Sequence, residues 1–78
     1  MKDRLYVTIA TVLGLSPDEV SDGTSRENCP KWDSLQHYVL ILAVEQEYGV
    51  RFSSGKIPEL TSVSAIREEI DRLKAGRP

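Results

Sequence analysis

The sequence Trp32-Asp33-Ser34-Leu35 ends a long polar segment and begins the longest apolar run of the chain. Asp33 is a favourable N-cap residue, because its carboxylate can accept hydrogen bonds from the free N–H groups of a helix's first turn. Gln36 lies where its amide can return a hydrogen bond to the Asp33 N–H, as in a capping box. Ser34 is therefore predicted to be the first helical residue. Its exposed hydroxyl would stand at the positive end of the helix dipole, where an attached phosphate is favoured.

Outward from this stretch, the spacing of apolar residues predicts three amphipathic helices, at 2–13, 34–48 and 62–74. Gly14 and Gly49 follow the first two helices, and Ser62 is the predicted N-cap of the third. The stripes predicted to be buried are Leu5, Ile9, Val12 and Leu13, then Leu35, Tyr38, Ile41 and Leu42, and finally Val63, Ile66, Ile70 and Leu73, with Glu68 and Glu69 outside, facing Arg72 and Lys74.

The connections at 15–33 and 50–61 are long for so short a chain, and each has the signals of a single helical turn. The residues expected to hold them to the core are Leu15, Val20 and Trp32 in the first, and Val50 and Phe52 in the second. The predicted fold is all-α: a small four-helix bundle with three long helices, one short helix and a long loop between helices 1 and 2. It forms a single domain over 1–78, of which 75–78 is a frayed tail.

Composition narrows the classes of function. The chain has 78 residues and a net charge of −2, with no basic stripe, which argues against nucleic acid as a partner. Cys29 is the single cysteine, so no internal disulfide can form and a reducing compartment fits. The longest apolar run, from Tyr38 to Val44, is far shorter than the ~20 residues of a membrane span. We see no signal peptide, and we expect a cytoplasmic monomer without a membrane span.

The whole chain resembles the acyl carrier proteins, a phosphopantetheine-binding family. The matching segments are Leu15-Ser16-Pro17-Asp18-Glu19-Val20, Asp33-Ser34-Leu35, Glu45-Gln46-Glu47-Tyr48-Gly49-Val50-Arg51-Phe52 and Leu60-Thr61-Ser62-Val63. The tripeptide alone recurs by chance, but its distance from the glutamate-rich helix end in a chain of this length makes the resemblance specific.

The resemblance implies that Ser34, flanked by Asp33 and Leu35, carries a covalent 4′-phosphopantetheine arm. In this family a separate phosphopantetheinyl transferase moves the arm from coenzyme A, and the thiol of the arm then carries acyl groups between acyl-loading and acyl-processing enzymes. The carrier has no catalytic activity of its own. The resemblance implies partner enzymes of fatty-acid, polyketide or related biosynthesis, and it leaves the acyl cargo open.

The sequence departs from the common family pattern near the serine. Pro30-Lys31-Trp32 stands where many members have Leu-Gly, and Gln36 and Val39 stand where many have acidic residues. We therefore expect a specialised carrier whose docking surface relies on apolar contact. The predicted docking residues are Trp32, Gln36, Val39 and Leu40. The residues expected to line a cavity for a short acyl chain are Leu35, Tyr38, Leu42, Phe52, Val63 and Ile66.

Alternatives remain open at this point. An aminoacyl or peptidyl carrier shares the fold and the arm, and a helical adaptor would carry no arm. A serine hydrolase would pair Ser34 with His37, but the sequence holds no glycine elbow or second acid, so His37 is expected to be an exposed helix residue. Trp32 is expected to anchor the loop or to touch the arm. Cys29 is expected to be structural, and the acidic residues of the first connection lack the spacing of a calcium loop, so no metal is expected.

Overall fold

The computed structural model describes residues 3–75, and within them the regular structure is helical. The α-helices are α1 (Arg4–Leu13), α2 (Ser34–Tyr48) and α3 (Val63–Ala75). This confirms the all-α prediction with three long helices. In place of a fourth α-helix, each connection holds a 3₁₀ turn of three residues, Pro17–Glu19 and Ile57–Glu59. An isolated antiparallel bridge between Ser25 and Ser62 is the one β-pairing among residues 3–75.

Local capping fixes where the helices begin and end. Asp3 caps α1, since its carboxylate accepts from the N–H groups of Leu5 at 2.9 Å and Tyr6 at 3.4 Å. Gly14 and Gly49 end α1 and α2 with φ angles of 72° and 65°, a left-handed conformation that suits glycine. Residue 2, where the sequence placed the start of the first helix, lies outside the described residues.

The long first connection is folded back onto α3. The Arg26 N–H donates to the Thr61 carbonyl at 3.0 Å, and the Val63 N–H donates to the Thr24 carbonyl at 2.9 Å. Val20 and Trp32 are buried and Leu15 is half-buried against the core, as predicted. The connection is therefore a fixed part of the molecule, and it carries its residues to the start of α2.

The buried face of α2 differs from the prediction. Its buried residues are His37, Leu40, Ile41 and Val44. Leu35, Tyr38 and Leu42, which the sequence predicted as core residues, are 74%, 58% and 60% exposed. Apolar side chains lie all around this helix, so their spacing does not reveal which face turns inward.

The third helix largely follows its prediction. The Ser62 hydroxyl accepts from the Ala65 N–H at 3.1 Å, as an N-cap does. The predicted stripe is buried, except that Leu73 is half-buried against the core. Glu69 is also buried, contrary to its predicted outer position, and the hydrogen bond from Arg72 lowers the pKa of its carboxyl. Ala75 still belongs to α3, and the rest of the predicted frayed tail, 76–78, lies outside the described residues.

Candidate functional site

The start of α2 has the predicted cap. The Asp33 carboxylate accepts from the Gln36 N–H at 2.9 Å, and the Asp33 carbonyl accepts from the His37 N–H at 2.8 Å. Ser34 is the first helical residue and is exposed, as predicted. Gln36 returns no hydrogen bond to the Asp33 N–H within residues 3–75, so the cap is one-sided. Asp33 thus supplies the side-chain cap of the turn on which Ser34 stands.

The hydroxyl of Ser34 is in contact with an arginine from the first connection. Arg26 Nη2 donates to Ser34 Oγ at 3.0 Å. The N–H groups of Ser34 and Leu35 lie in the first helical turn and have no acceptor in the part of the chain that the structure describes. An exposed hydroxyl thus stands beside a guanidinium and two free N–H donors. No pattern in the sequence points to Arg26, because the position of its side chain depends on how the first connection folds.

Directly beneath this site, Trp32 and His37 form a buried polar pair. Each is 2% exposed. The Trp32 indole N–H donates to His37 Nδ1 at 3.0 Å, and His37 Nε2 lies 2.8 Å from the Ile57 carbonyl oxygen. A carbonyl can only accept, so Nε2 carries the proton and Nδ1 accepts. The expected loop anchor at Trp32 is confirmed, whereas the expected exposure of His37 is wrong.

The same pair bears on the hydrolase alternative. Both ring nitrogens of His37 are engaged away from Ser34, and the only side chain hydrogen-bonded to the Ser34 hydroxyl within residues 3–75 is that of Arg26. A nucleophilic serine needs a base in contact with its hydroxyl. In this arrangement His37 does not supply one.

The surface near Ser34 is apolar, but it contains only part of the predicted docking set. Trp32 and Leu40 are 2% and 0% exposed, so their side chains offer nothing to a partner, which corrects that part of the expected docking set. Gln36 is half-buried, and Val39 is 45% exposed. The residues that form the apolar face of α2 are Leu35, Tyr38, Val39 and Leu42.

The expected acyl cavity does not form from the predicted residues. Phe52, Val63 and Ile66 are buried in the core. Leu35, Tyr38 and Leu42 point to solvent on the other side of α2, so the six residues share no common space. Leu42 instead lines an open groove with Val50 and Leu73, near the C-terminal end of α2 and away from Ser34.

Other candidate sites offer little chemistry. Cys29 is buried, in line with a structural role. No group of three or more histidine, cysteine, aspartate or glutamate side chains within residues 3–75 could hold a metal ion. The helices of this segment are too short or too polar for any of them to cross a membrane.

A comparison with protein-family models finds none that matches the sequence. A functional assignment therefore depends on the residues around Ser34.

Proposed function

We propose that the chain is a carrier protein in which Ser34 holds a 4′-phosphopantetheine arm through a phosphodiester. The observation that carries this proposal is the exposed Ser34 hydroxyl at a capped helix start, beside the Arg26 guanidinium. The resemblance of the whole sequence to acyl carrier proteins supports it. In that family a short helix precedes the last one; here the 3₁₀ turn Ile57–Glu59 occupies that place.

The residues around Ser34 suit such a group. A phosphodiester carries one negative charge, which a helix N-terminus and a neighbouring cation both stabilise. The carboxylate next to Ser34 in the sequence, that of Asp33, accepts from the Gln36 N–H at the cap. The first acidic residue within α2 is Glu45, three turns further along. Asp33 would hold the attachment turn, Ser34 would bear the ester, and Leu35 would flank it. When bound, the arm supplies a thiol that carries acyl groups as thioesters.

In this proposal the chain transports and does not catalyse. Its partners would be a phosphopantetheinyl transferase and the acyl-loading and acyl-processing enzymes of fatty-acid, polyketide or related biosynthesis. The exposed apolar face of α2 begins one residue after Ser34 and would be their docking surface. Because Cys29 is the single cysteine and is buried, it forms no internal disulfide, which is consistent with a reducing compartment such as the cytoplasm.

Intact-mass measurement tests the attachment. The protein is incubated with coenzyme A and a broad-specificity phosphopantetheinyl transferase, and its mass is recorded before and after. We expect the wild type to gain one 4′-phosphopantetheine group and Ser34→Ala to gain none. Ser54→Ala is the matched control, because Ser54 is exposed in the second connection, and it should gain mass as the wild type does. No gain in wild type, or a gain that survives in Ser34→Ala, would refute the proposal.

A helical adaptor without an arm is the second candidate, and the exposed apolar face of α2 is the observation that favours it. Four large apolar side chains at solvent on one helix are typical of a surface that binds another protein. The mass experiment separates the two, since an adaptor would gain no mass. An aminoacyl or peptidyl carrier would gain the same mass and differ only in the enzyme that loads its thiol.

A further inference from the structure

Arg26 is fixed in place at its backbone and reaches the attachment site with its side chain. Its N–H donates to the Thr61 carbonyl at 3.0 Å, next to the bridge between Ser25 and Ser62. The turn that follows is closed by Asn28, whose side chain accepts from the Ser25 N–H at 2.9 Å. The loop is thus tied to the start of α3, while the guanidinium lies 3.0 Å from Ser34 Oγ.

The charge of Arg26 is not used elsewhere in the described chain. Three arginines form ion pairs: Arg4 with Glu47, Arg67 with Asp3 and Asp22, and Arg72 with Glu69. No carboxylate within residues 3–75 lies within ion-pair distance of Arg26. A guanidinium has five N–H donors, and the serine hydroxyl takes one, so most of its capacity to bind an anion is available.

We propose that Arg26 is the phosphate-binding residue for a phosphodiester on Ser34. This inference rests on the proposed function. In the unmodified chain Arg26 donates to the hydroxyl oxygen. Once that oxygen is esterified, it shares a phosphorus atom with the non-bridging oxygens of the phosphate, which therefore lie close to it. They carry the negative charge, so the guanidinium donates to them in a charge-assisted hydrogen bond. The contact restrains the root of the arm at the N-terminal end of the apolar face of α2.

Side-chain NMR of the wild-type protein tests the contact without any substitution. The Nε and Nη signals of the arginines are recorded before and after modification, with the modified state verified by mass. We expect the Arg26 signals to move, and their N–H exchange with water to slow several-fold. Arg51 is an internal control, because it is exposed beyond the far end of α2, about 20 Å away along the helix. Unchanged Arg26 signals would overturn the proposal.

The ³¹P resonance of the modified protein gives a second readout. Arg26→Gln removes the charge, and Arg51→Gln removes an equal charge elsewhere. Excess transferase brings each variant to full modification, and circular dichroism checks its fold. We expect Arg26→Gln to shift the ³¹P resonance and to make its position less sensitive to salt, because salt screens an ion pair that this variant lacks. We expect Arg51→Gln to leave the resonance unchanged.

The two proposals fail in different ways. If the wild type gains no mass, both are refuted. If wild type and Arg26→Gln gain the same mass and share one ³¹P resonance, Ser34 remains the attachment site and the phosphate-binding role of Arg26 is refuted.

Discussion

His37 is a polar residue in the interior of the molecule, and its two ring nitrogens join distant parts of the chain. Nδ1 accepts from Trp32, the last residue before the cap, and Nε2 donates to Ile57 in the second connection. The planes of the Trp32 and His37 rings are inclined by 24°, with centroids 6.1 Å apart. The pair thus ties the Ser34 turn to the 3₁₀ turn that precedes α3. It explains why the core accepts a histidine, since buried polar groups are tolerated when hydrogen-bonded.

Replacing this histidine should therefore be costly. We expect His37→Ala to lower the free energy of unfolding by about 2–4 kcal/mol, because it leaves a cavity and leaves the buried Trp32 N–H without an acceptor. Gln46→Ala is the control, since Gln46 is exposed on the same helix, and its change should stay within about 0.5 kcal/mol. Urea unfolding followed by circular dichroism measures both. A His37→Ala loss as small as that of the control would show that the pair contributes nothing.

At the scale of the helix, α2 shows what the sequence could and could not predict. Its ends were predictable, because Asp33 and Gly49 act on neighbouring backbone groups. Its buried face was not, because apolar side chains surround it. The face that turns inward contains His37, whose hydrogen bonds to Trp32 and to a carbonyl twenty residues further along cannot be foreseen from the helix alone. Likewise the place of Ser34 as the first helical residue was predictable from the cap beside it. The contact with Arg26 was not, because it depends on a loop that is hydrogen-bonded to the start of α3.

The proposed docking through the apolar face of α2 can be tested by substitution. We expect Val39→Gln to lower kcat/KM of a phosphopantetheinyl transferase by about 5- to 30-fold, the effect of losing roughly 1–2 kcal/mol of apolar contact. Because Val39 is 45% exposed, the stability of the folded chain should change little. Initial rates of mass gain at low substrate concentration provide the measurement.

Two comparisons decide whether the effect belongs to this face. Val7→Gln alters a valine of α1 that is 38% exposed, and it should leave the rate unchanged. Raising the salt concentration should change the wild-type rate by less than about 2-fold, because salt screens charge pairs and leaves apolar contacts intact. A strong decrease with salt, or equal losses from both valine substitutions, would contradict apolar docking through α2.

Across the whole molecule, one polar network joins α1, the first connection and α3. Arg67 Nη2 lies 2.9 Å from Asp3 Oδ2 and 3.2 Å from Asp22 Oδ1. The Tyr6 hydroxyl donates to the same Asp22 oxygen at 2.9 Å, and the Arg67 guanidinium lies 5.5 Å from the centre of the Tyr6 ring. Its members are up to 64 residues apart, so no local pattern could predict it. Asp3 serves twice, as the cap of α1 and as an anchor for α3.

This network makes stability depend on pH through Tyr6. The hydrogen bond to Asp22, followed by burial, raises the pKa of Tyr6 above its usual value of about 10. The folded state therefore holds the phenol proton more tightly than the unfolded state. The resulting stabilisation is complete below about pH 10 and is lost as the pH rises through the raised pKa.

Tyr6→Phe removes this stabilisation, so wild type should be the more stable protein near neutral pH, and the difference should shrink towards about pH 11. Tyr38→Phe is the control, because the exposed Tyr38 hydroxyl makes no hydrogen bond within residues 3–75, and near neutral pH it should change the free energy of unfolding less than Tyr6→Phe does. Urea unfolding across this range measures both, and a Tyr6→Phe difference that stays constant would mean that the hydroxyl contact with Asp22 does not hold the proton in the folded protein.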